Sequence, residues 1–326
     1  MPSFSREVFN SLTVPGSRLP WLRTWLLDQV WTRERYAEMT PTDFLDRGER
    51  DVNEIEEILA SAAPRVYDEL LGNNIPHKRD VRAFLQERRP CAVVIFDGLS
   101  LREIPLLLQF AEKSRFSVRE VDYSFSPVPS ETLDFVDQRL GFGKTAPSRL
   151  PARTELKAQN IAAYYYDSAS RSHRLDSDAD ALLLWSSFPD HTYSDSGARF
   201  VQHFAQIHTF LETAWMNTVQ GIPPDRDVLI TSDHGYAYFG PGMSFQRTAA
   251  AVRPLTTYLG GERFRYYSEP DGPPDHSDLT VLRDRHLAII RGRVQTHPPG
   301  AASSRLYKHG GLSLMEMLIP WIELRT

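Results

Sequence analysis

Acid closes three separate apolar runs in this chain. Val93-Val94-Ile95-Phe96 leads into Asp97, with Gly98-Leu99-Ser100 behind it. Leu182 to Trp185 is followed by Ser186-Ser187-Phe188-Pro189-Asp190, and Val228 to Ser232 leads into Asp233-His234-Gly235. A single such aspartate reads first as a helix cap or turn former, which Asp favours. Three together, one beside a histidine, make a set of carboxylate and imidazole donors that borderline divalent ions such as zinc accept. His309 adds a further imidazole ahead of Gly310 and Gly311, where backbone can approach a neighbour closely. The other histidines, among them His77, His173, His203, His208, His276, His286 and His297, sit in expected helices or polar loops with no partner in sequence. Pro129-Ser130-Glu131-Thr132 places two hydroxyls at the start of an expected helix, where either could cap it or act as a nucleophile. Ser100, three residues past Asp97, is the runner-up nucleophile to Thr132, although its place suits an N-cap better. A threonine hydroxyl attacks well at neutral pH only when a base or a cation lowers its pKa.

Carboxylates at the ends of strands imply a sheet to hold them. Ala92 to Phe96 and Ala181 to Trp185 are continuous apolar runs that suit strands buried on both faces, as does Asp227 to Ser232. Val118 to Tyr123 predicts another strand, and helical periodicity marks Ser100–Lys113, Ser130–Leu140 and Ala198–Gln220. This alternation argues for α/β architecture, a mostly parallel sheet with helices on both faces, whose ligand site lies beyond the carboxyl ends of the strands. Residues 1–89 form a helical N-terminal region in which Leu22, Trp25, Leu26 and Val30 recur at helical spacing, as do Val52, Ile55, Ile58 and Leu59; residues 90–326 form the α/β domain. Proline, glycine and charge dominate 141–180 and 240–277, which read as loops or small subdomains framing a site.

Composition excludes several classes. Hydrophobic residues make up 41% of 326 and charged residues 24%, ordinary for a folded globular chain. No apolar run approaches the about 18 to 20 residues that cross a bilayer, and Met1 to Thr13 lacks the basic start and apolar stretch of a secretory signal. A cytoplasmic protein is expected, and the single cysteine, Cys91, agrees. The net charge of −5 argues against coating a nucleic-acid duplex. It leaves room for a phosphorylated substrate, because bound cations can supply the positive charge that the side chains do not.

Taken in order, Asp97-Gly98-Leu99-Ser100, Pro129-Ser130-Glu131-Thr132, Pro189-Asp190, Thr231-Ser232-Asp233-His234-Gly235 and the His309 to Pro320 segment resemble the motifs of the alkaline phosphatase superfamily. The nearest likeness is to PglZ domains, known from BREX-type phage-resistance systems and some response regulators, and it covers Cys91 to Thr326. The resemblance implies an alkaline phosphatase-like fold with two divalent metal ions, zinc or alternatively manganese, flanking a Ser or Thr nucleophile. Matched by position, Asp97, Asp233 and His234 resemble the ligands of the ion nearest the nucleophile, and Asp190 and His309 those of the other. The family's remaining ligand falls four residues after the second-motif aspartate, where this chain has Ser194, with Asp195 one later. Asp190 paired with Asp195 is the preferred reading, since a loop absorbs one residue easily; His191 paired with Asp195 is the alternative. Four carboxylates would then balance two divalent ions. Thr132 matches the nucleophile because the related nucleotide pyrophosphatases/phosphodiesterases carry a proline three residues ahead of theirs.

The implied activity is a metal-dependent phosphodiesterase acting on nucleotides or oligonucleotides, serving phage defence. A phosphomonoesterase or sulfatase, or a non-catalytic module binding a defence-system partner, are the alternatives. Leu133, Asp134, Phe135 and Val136 follow Thr132 where monoesterases of the superfamily place an arginine, which suits a singly charged diester, with Phe135 a candidate platform for a base. Arg102, Arg139, Lys144 and Arg149 lie near the motifs and are either phosphate contacts or solvated surface.

Overall fold

The computed structural model describes residues 18–72, 79–193, 200–296 and 306–326. Before residue 232 the chain lays down β1 (Cys91–Phe96), β2 (Ser117–Phe125), β3 (Ile161–Tyr166), β4 (Ala181–Ser186) and β5 (Asp227–Thr231). Short strands follow: β6 (Ala237–Tyr238), β7 (Phe264–Tyr266), β8 (Leu279–Leu282), β9 (Leu287–Ile290) and β10 (Tyr307–Lys308), and the chain ends in β11 (Leu318–Arg325). The main sheet has the order β2-β11-β5-β1-β4-β3. β1 pairs in parallel with both β4 and β5, and β4 in parallel with β3. β11 is antiparallel to β5 and to β2, so it alone runs against the other five.

The apolar runs have no polar alternates because both faces of these strands are covered. Along β1, Ala92, Val94 and Phe96 join one core with Val52 and Leu59 of helix Pro41–Ala62, Leu106 of helix Ile104–Glu112 and Trp215 of helix Phe200–Thr218. Cys91, Val93 and Ile95 face the opposite core, built with Phe84 and Leu85 of helix Val81–Glu87 and with Phe135 and Leu140. The α/β class expected from the alternation is therefore what forms, with helices on both faces of a mostly parallel sheet.

Helix Pro41–Ala62 begins where Thr40 accepts from the Asp43 amide and Pro41 needs no donor at the first position. Its inward face carries two fully buried acids. Glu49 pairs with Arg102 and Arg293, and Glu56 accepts from Arg293 Nε at 3.3 Å and from the Leu314 amide at 2.8 Å. Through this network and a continuous apolar core, the N-terminal helices are joined to the segment that follows His309.

Two stretches that sequence reads as loops or small subdomains hold regular structure. Within 141–180 lie helix Thr154–Ala158 and edge strand β3; within 240–277 lie helix Ala249–Leu259 and β7, which joins β8 and β9 in a small antiparallel sheet. β11 is likewise hidden in sequence by Pro320, a residue that argues against an inner strand. Pro320 lacks a donor, but its carbonyl accepts from Thr231 Oγ1 at 2.7 Å. Among the described residues, no helix is long and apolar enough to cross a membrane.

Candidate active site

Parallel strands bring their carboxyl ends to one edge, and that edge collects Asp97 after β1, Thr132 after β2, Asp190 after β4 and Asp233 after β5. Because β11 runs the other way, the residues before it, not after it, reach the same edge, and so His309 arrives there too. The loops are braced on one another: the Asp190 amide donates to the Asp97 carbonyl at 2.9 Å, and the Gly98 amide to Asp233 Oδ1 at 3.0 Å. Gly98 has a φ of +71°, and a Cβ there would come 3.0 Å from the Asp190 Cβ, so the close approach of the first two motifs requires glycine.

Thr132 opens the one-turn helix Thr132–Phe135, whose N-cap is Glu131 with no side-chain cap bond. Its hydroxyl is therefore not spent on capping; Oγ1 donates to Asp233 Oδ2 at 2.6 Å and lies 3.5 Å from His234 Nε2. His234 Nε2 is also 3.6 Å from Asp97 Oδ1 and 3.6 Å from Asp233 Oδ2. The Nδ1 of His234 sits 3.0 Å from the Gly235 carbonyl, which holds a proton on that nitrogen and leaves the Nε2 lone pair facing the carboxylates. His309 stacks on His234 with centroids 4.0 Å apart and 13° between planes, and its Nε2 is 3.9 Å from Asp190 Oδ1.

Asp97 Oδ2 accepts from Trp185 Nε1 at 3.2 Å, while Asp97 Oδ1 is buried with no hydrogen-bond partner. Burial, then Asp233 and Asp190 nearby, push the Asp97 carboxyl well above the usual range. Burial would depress the His309 imidazole, but Glu131 and Asp190 outweigh it and carry it up to about 10. An orphaned buried carboxylate oxygen facing an imidazole lone pair is a donor arrangement that a divalent ion satisfies. Two overlapping groups have their ligand atoms within 4.8 Å of one another: Asp97, Asp233 and His234, and Asp190, His234 and His309. The residues present fit a divalent metal ion.

Of the remaining candidates, Asp195 and Ser194 lie outside the described residues, as do His77 and His297. His191 has Nδ1 3.0 Å from the Ser187 carbonyl and an edge contact with Phe188, and it joins neither ligand group. Ser100 is fully buried in a capping box with Glu103, donating to Glu103 Oε2 at 2.9 Å, which keeps it from attacking anything. Phe135 is not a platform: it is fully buried, edge-on to Trp185. Exposed large apolar side chains near Thr132 are instead Leu133 and Tyr266. Arg102 is buried, bonded to Glu49 and to the Tyr236 carbonyl, and is no phosphate contact. Arg139 donates to the Ser126 carbonyl, Lys144 to Asp134 and Tyr266, and Arg149 is exposed. Sequence reasoning assigned nothing to Trp185 or to Glu131, whose Oε1 lies 3.0 Å from His309 Nδ1. No spacing rule could have found these contacts, which join distant positions.

No protein-family model matches the sequence, and neither does any curated protein. Among solved structures, murine ectonucleotide pyrophosphatase/phosphodiesterase 5 is similar at 14% identity and a TM-score of 0.44, covering 72% of this chain and 87% of that one. An inactive form of the same murine protein in complex with AMP gives 13% and 0.41, covering 73% and 88%. Phosphonoacetate hydrolase from Sinorhizobium meliloti in complex with phosphonoacetate gives 13% and 0.38, covering 73% and 90%. Likeness this distant carries no argument about activity, so the chemistry must be argued from this chain's own residues.

Proposed function

We propose that this chain is a metal-dependent phosphoric-ester hydrolase, a phosphodiesterase acting on nucleotides or oligonucleotides. The observation that carries the reading is the Thr132 hydroxyl, 2.6 Å from the buried Asp233 carboxylate and 3.5 Å from His234 Nε2, both members of groups that could hold a metal ion. Asp97, Asp233 and His234 would hold one ion, and Asp190 and His309, with Asp195, the other. Such ions supply positive charge that lowers the pKa of a hydroxyl and offsets charge gathering on phosphate oxygens. Asp233 Oδ2 orients the Thr132 hydroxyl and is placed to draw its proton as Oγ1 bonds to phosphorus. The ester oxygen opposite then leaves with the electrons of its bond and takes up a proton, and water later displaces the Thr132 oxygen from phosphorus, releasing a phosphate monoester and restoring the hydroxyl. Burial of Asp233, His234 and the Asp97 Oδ1 atom keeps water from scattering these charges.

A diester is favoured over a monoester because the residues after Thr132 provide Leu133 and Asp134 rather than a guanidinium, and Lys144 nearby is already held by Asp134. Membership among PglZ domains, a cytoplasmic place in phage defence and a partner protein go with the motif resemblance and belong to the same proposal.

The test is elemental analysis of the purified protein, with hydrolysis of bis(4-nitrophenyl) phosphate, 4-nitrophenyl phosphate and 4-nitrophenyl sulfate in zinc or manganese. Bound metal and a higher kcat/KM for the diester are expected. Absence of metal overturns the hydrolase reading, and a higher value for the monoester or sulfate changes the substrate class while leaving the site standing.

A further inference from the structure

Ser130, Glu131 and Thr132 send three successive side chains to three different places around the site. Ser130, fully buried, accepts from the Gly310 amide at 2.9 Å and donates to the Gly311 carbonyl at 3.2 Å. Thr132 reaches Asp233. Between them Glu131, in extended backbone, reaches His309, where Nδ1 lies 3.0 Å from Oε1 and 3.2 Å from the Ser130 carbonyl. The two ring nitrogens of His309 thus do different things: Nδ1 is fixed by two acceptors, and Nε2 faces Asp190.

Resting on the metal-site reading above, we propose that Glu131 is a positioning residue that orients His309 as a ligand and so ties loading of the Asp190–His309 group to the segment bearing Thr132. A carboxylate on Nδ1 keeps a proton there, presents the Nε2 lone pair to an ion and makes that nitrogen more basic. The ring cannot turn away easily, because its face is stacked on His234 and its rim is pinned by the Ser130 carbonyl. A plain surface ion pair would behave differently. At roughly 30% exposure of both side chains it would contribute little to stability and nothing selective to ion binding. The positioning role predicts an effect confined to one of two ions.

Zinc titration of chelator-stripped protein by calorimetry tests this, with circular dichroism melting of the stripped variants to confirm that each folds. Wild type is expected to bind two ions. Glu131→Gln, nearly isosteric, should bind one of them 10- to 100-fold more weakly, the range typical for lost outer partners of a ligating histidine, and the other unchanged. Glu131→Ala should lose at least as much at that ion, and His309→Ala should lose the ion altogether. Wild-type affinity for both ions in both Glu131 variants overturns the proposal while leaving the metal site standing, as does equal weakening of both ions. A wild-type protein that binds no zinc overturns the site reading and this proposal with it.

Discussion

At the scale of single residues, the proposed function assigns binding to some side chains and reaction to Thr132. Asp233 and His234 are fully buried and would be shared or direct ligands, so removing either leaves the remaining lone pairs without their ion. Asp233→Ala and His234→Ala are expected to lose metal and turnover together. Since a bound ligand stabilises the native state by mass action, both should also lose most of the zinc-dependent rise in melting temperature seen in wild type. Thr132→Ala is expected to keep both ions and the fold while turnover falls by several orders of magnitude. Ser100→Ala should leave the chemistry nearly intact and cost about 1 kcal/mol of stability through its lost cap. Metal analysis, melting curves and kcat on the four variants check this together. Full metal and full turnover in the ligand variants, or a Ser100 effect on rate exceeding that of Thr132, would reverse the assignment.

At the scale of elements, helix Pro41–Ala62 sets the backbone next to the site, since Glu56 holds the amide of Leu314 five residues beyond His309. Burial is the main cause that raises the Glu56 carboxyl to about 7, with Glu316 adding to it and Arg293 and the Leu314 amide opposing. The unfolded chain releases this proton near the ordinary glutamate value of about 4.3. Between that value and about 7, the folded protein binds more protons than the unfolded one, so the Glu56 contribution to stability falls as pH rises and levels off above. Glu56→Gln should remove this slope. Urea midpoints of wild type and Glu56→Gln across pH 4 to 8 are expected to diverge through that window and then run parallel, and a constant difference would show that Glu56 does not titrate there.

For the whole molecule, the question is whether residues 90–326 stand alone. Sequence composition separates a helical region from an α/β domain, yet the apolar side chains of both lie in one core, and Glu49 neutralises Arg102 and Arg293 with no exposure on any of the three. A chain started at Pro90 would lose Glu49 and Glu56 and uncover the apolar side chains that the N-terminal helices cover, and exposing even two large ones costs on the order of 3 to 6 kcal/mol. That is much of the about 5 to 15 kcal/mol by which a typical domain is stable. The shortened chain is expected to be insoluble or to lack a cooperative melt, and a sharp melting transition with bound zinc would show the domain to be independent.

Local pattern was enough for the strands β1, β4 and β5 and for the acids that follow them, because a run of apolar β-branched residues ending in Asp carries its meaning within ten positions. It was also enough for Ser100 as a cap, since a capping box spans four residues. It could not show that Thr132 is free of capping, that Phe135 turns into the core or that Glu131 meets His309 across 178 positions, since these depend on which loops the sheet order brings together. β3 and β11 stayed hidden for related reasons: one is an edge strand without alternation, the other carries Pro320. Residue types and their spacing determine which side chains can bind a cation or attack phosphorus. Only the antiparallel placement of β11 among five parallel strands decides that His309, in the segment that leads into β11, faces the carboxylates that follow the ends of the others, because strand direction is a property of the folded sheet.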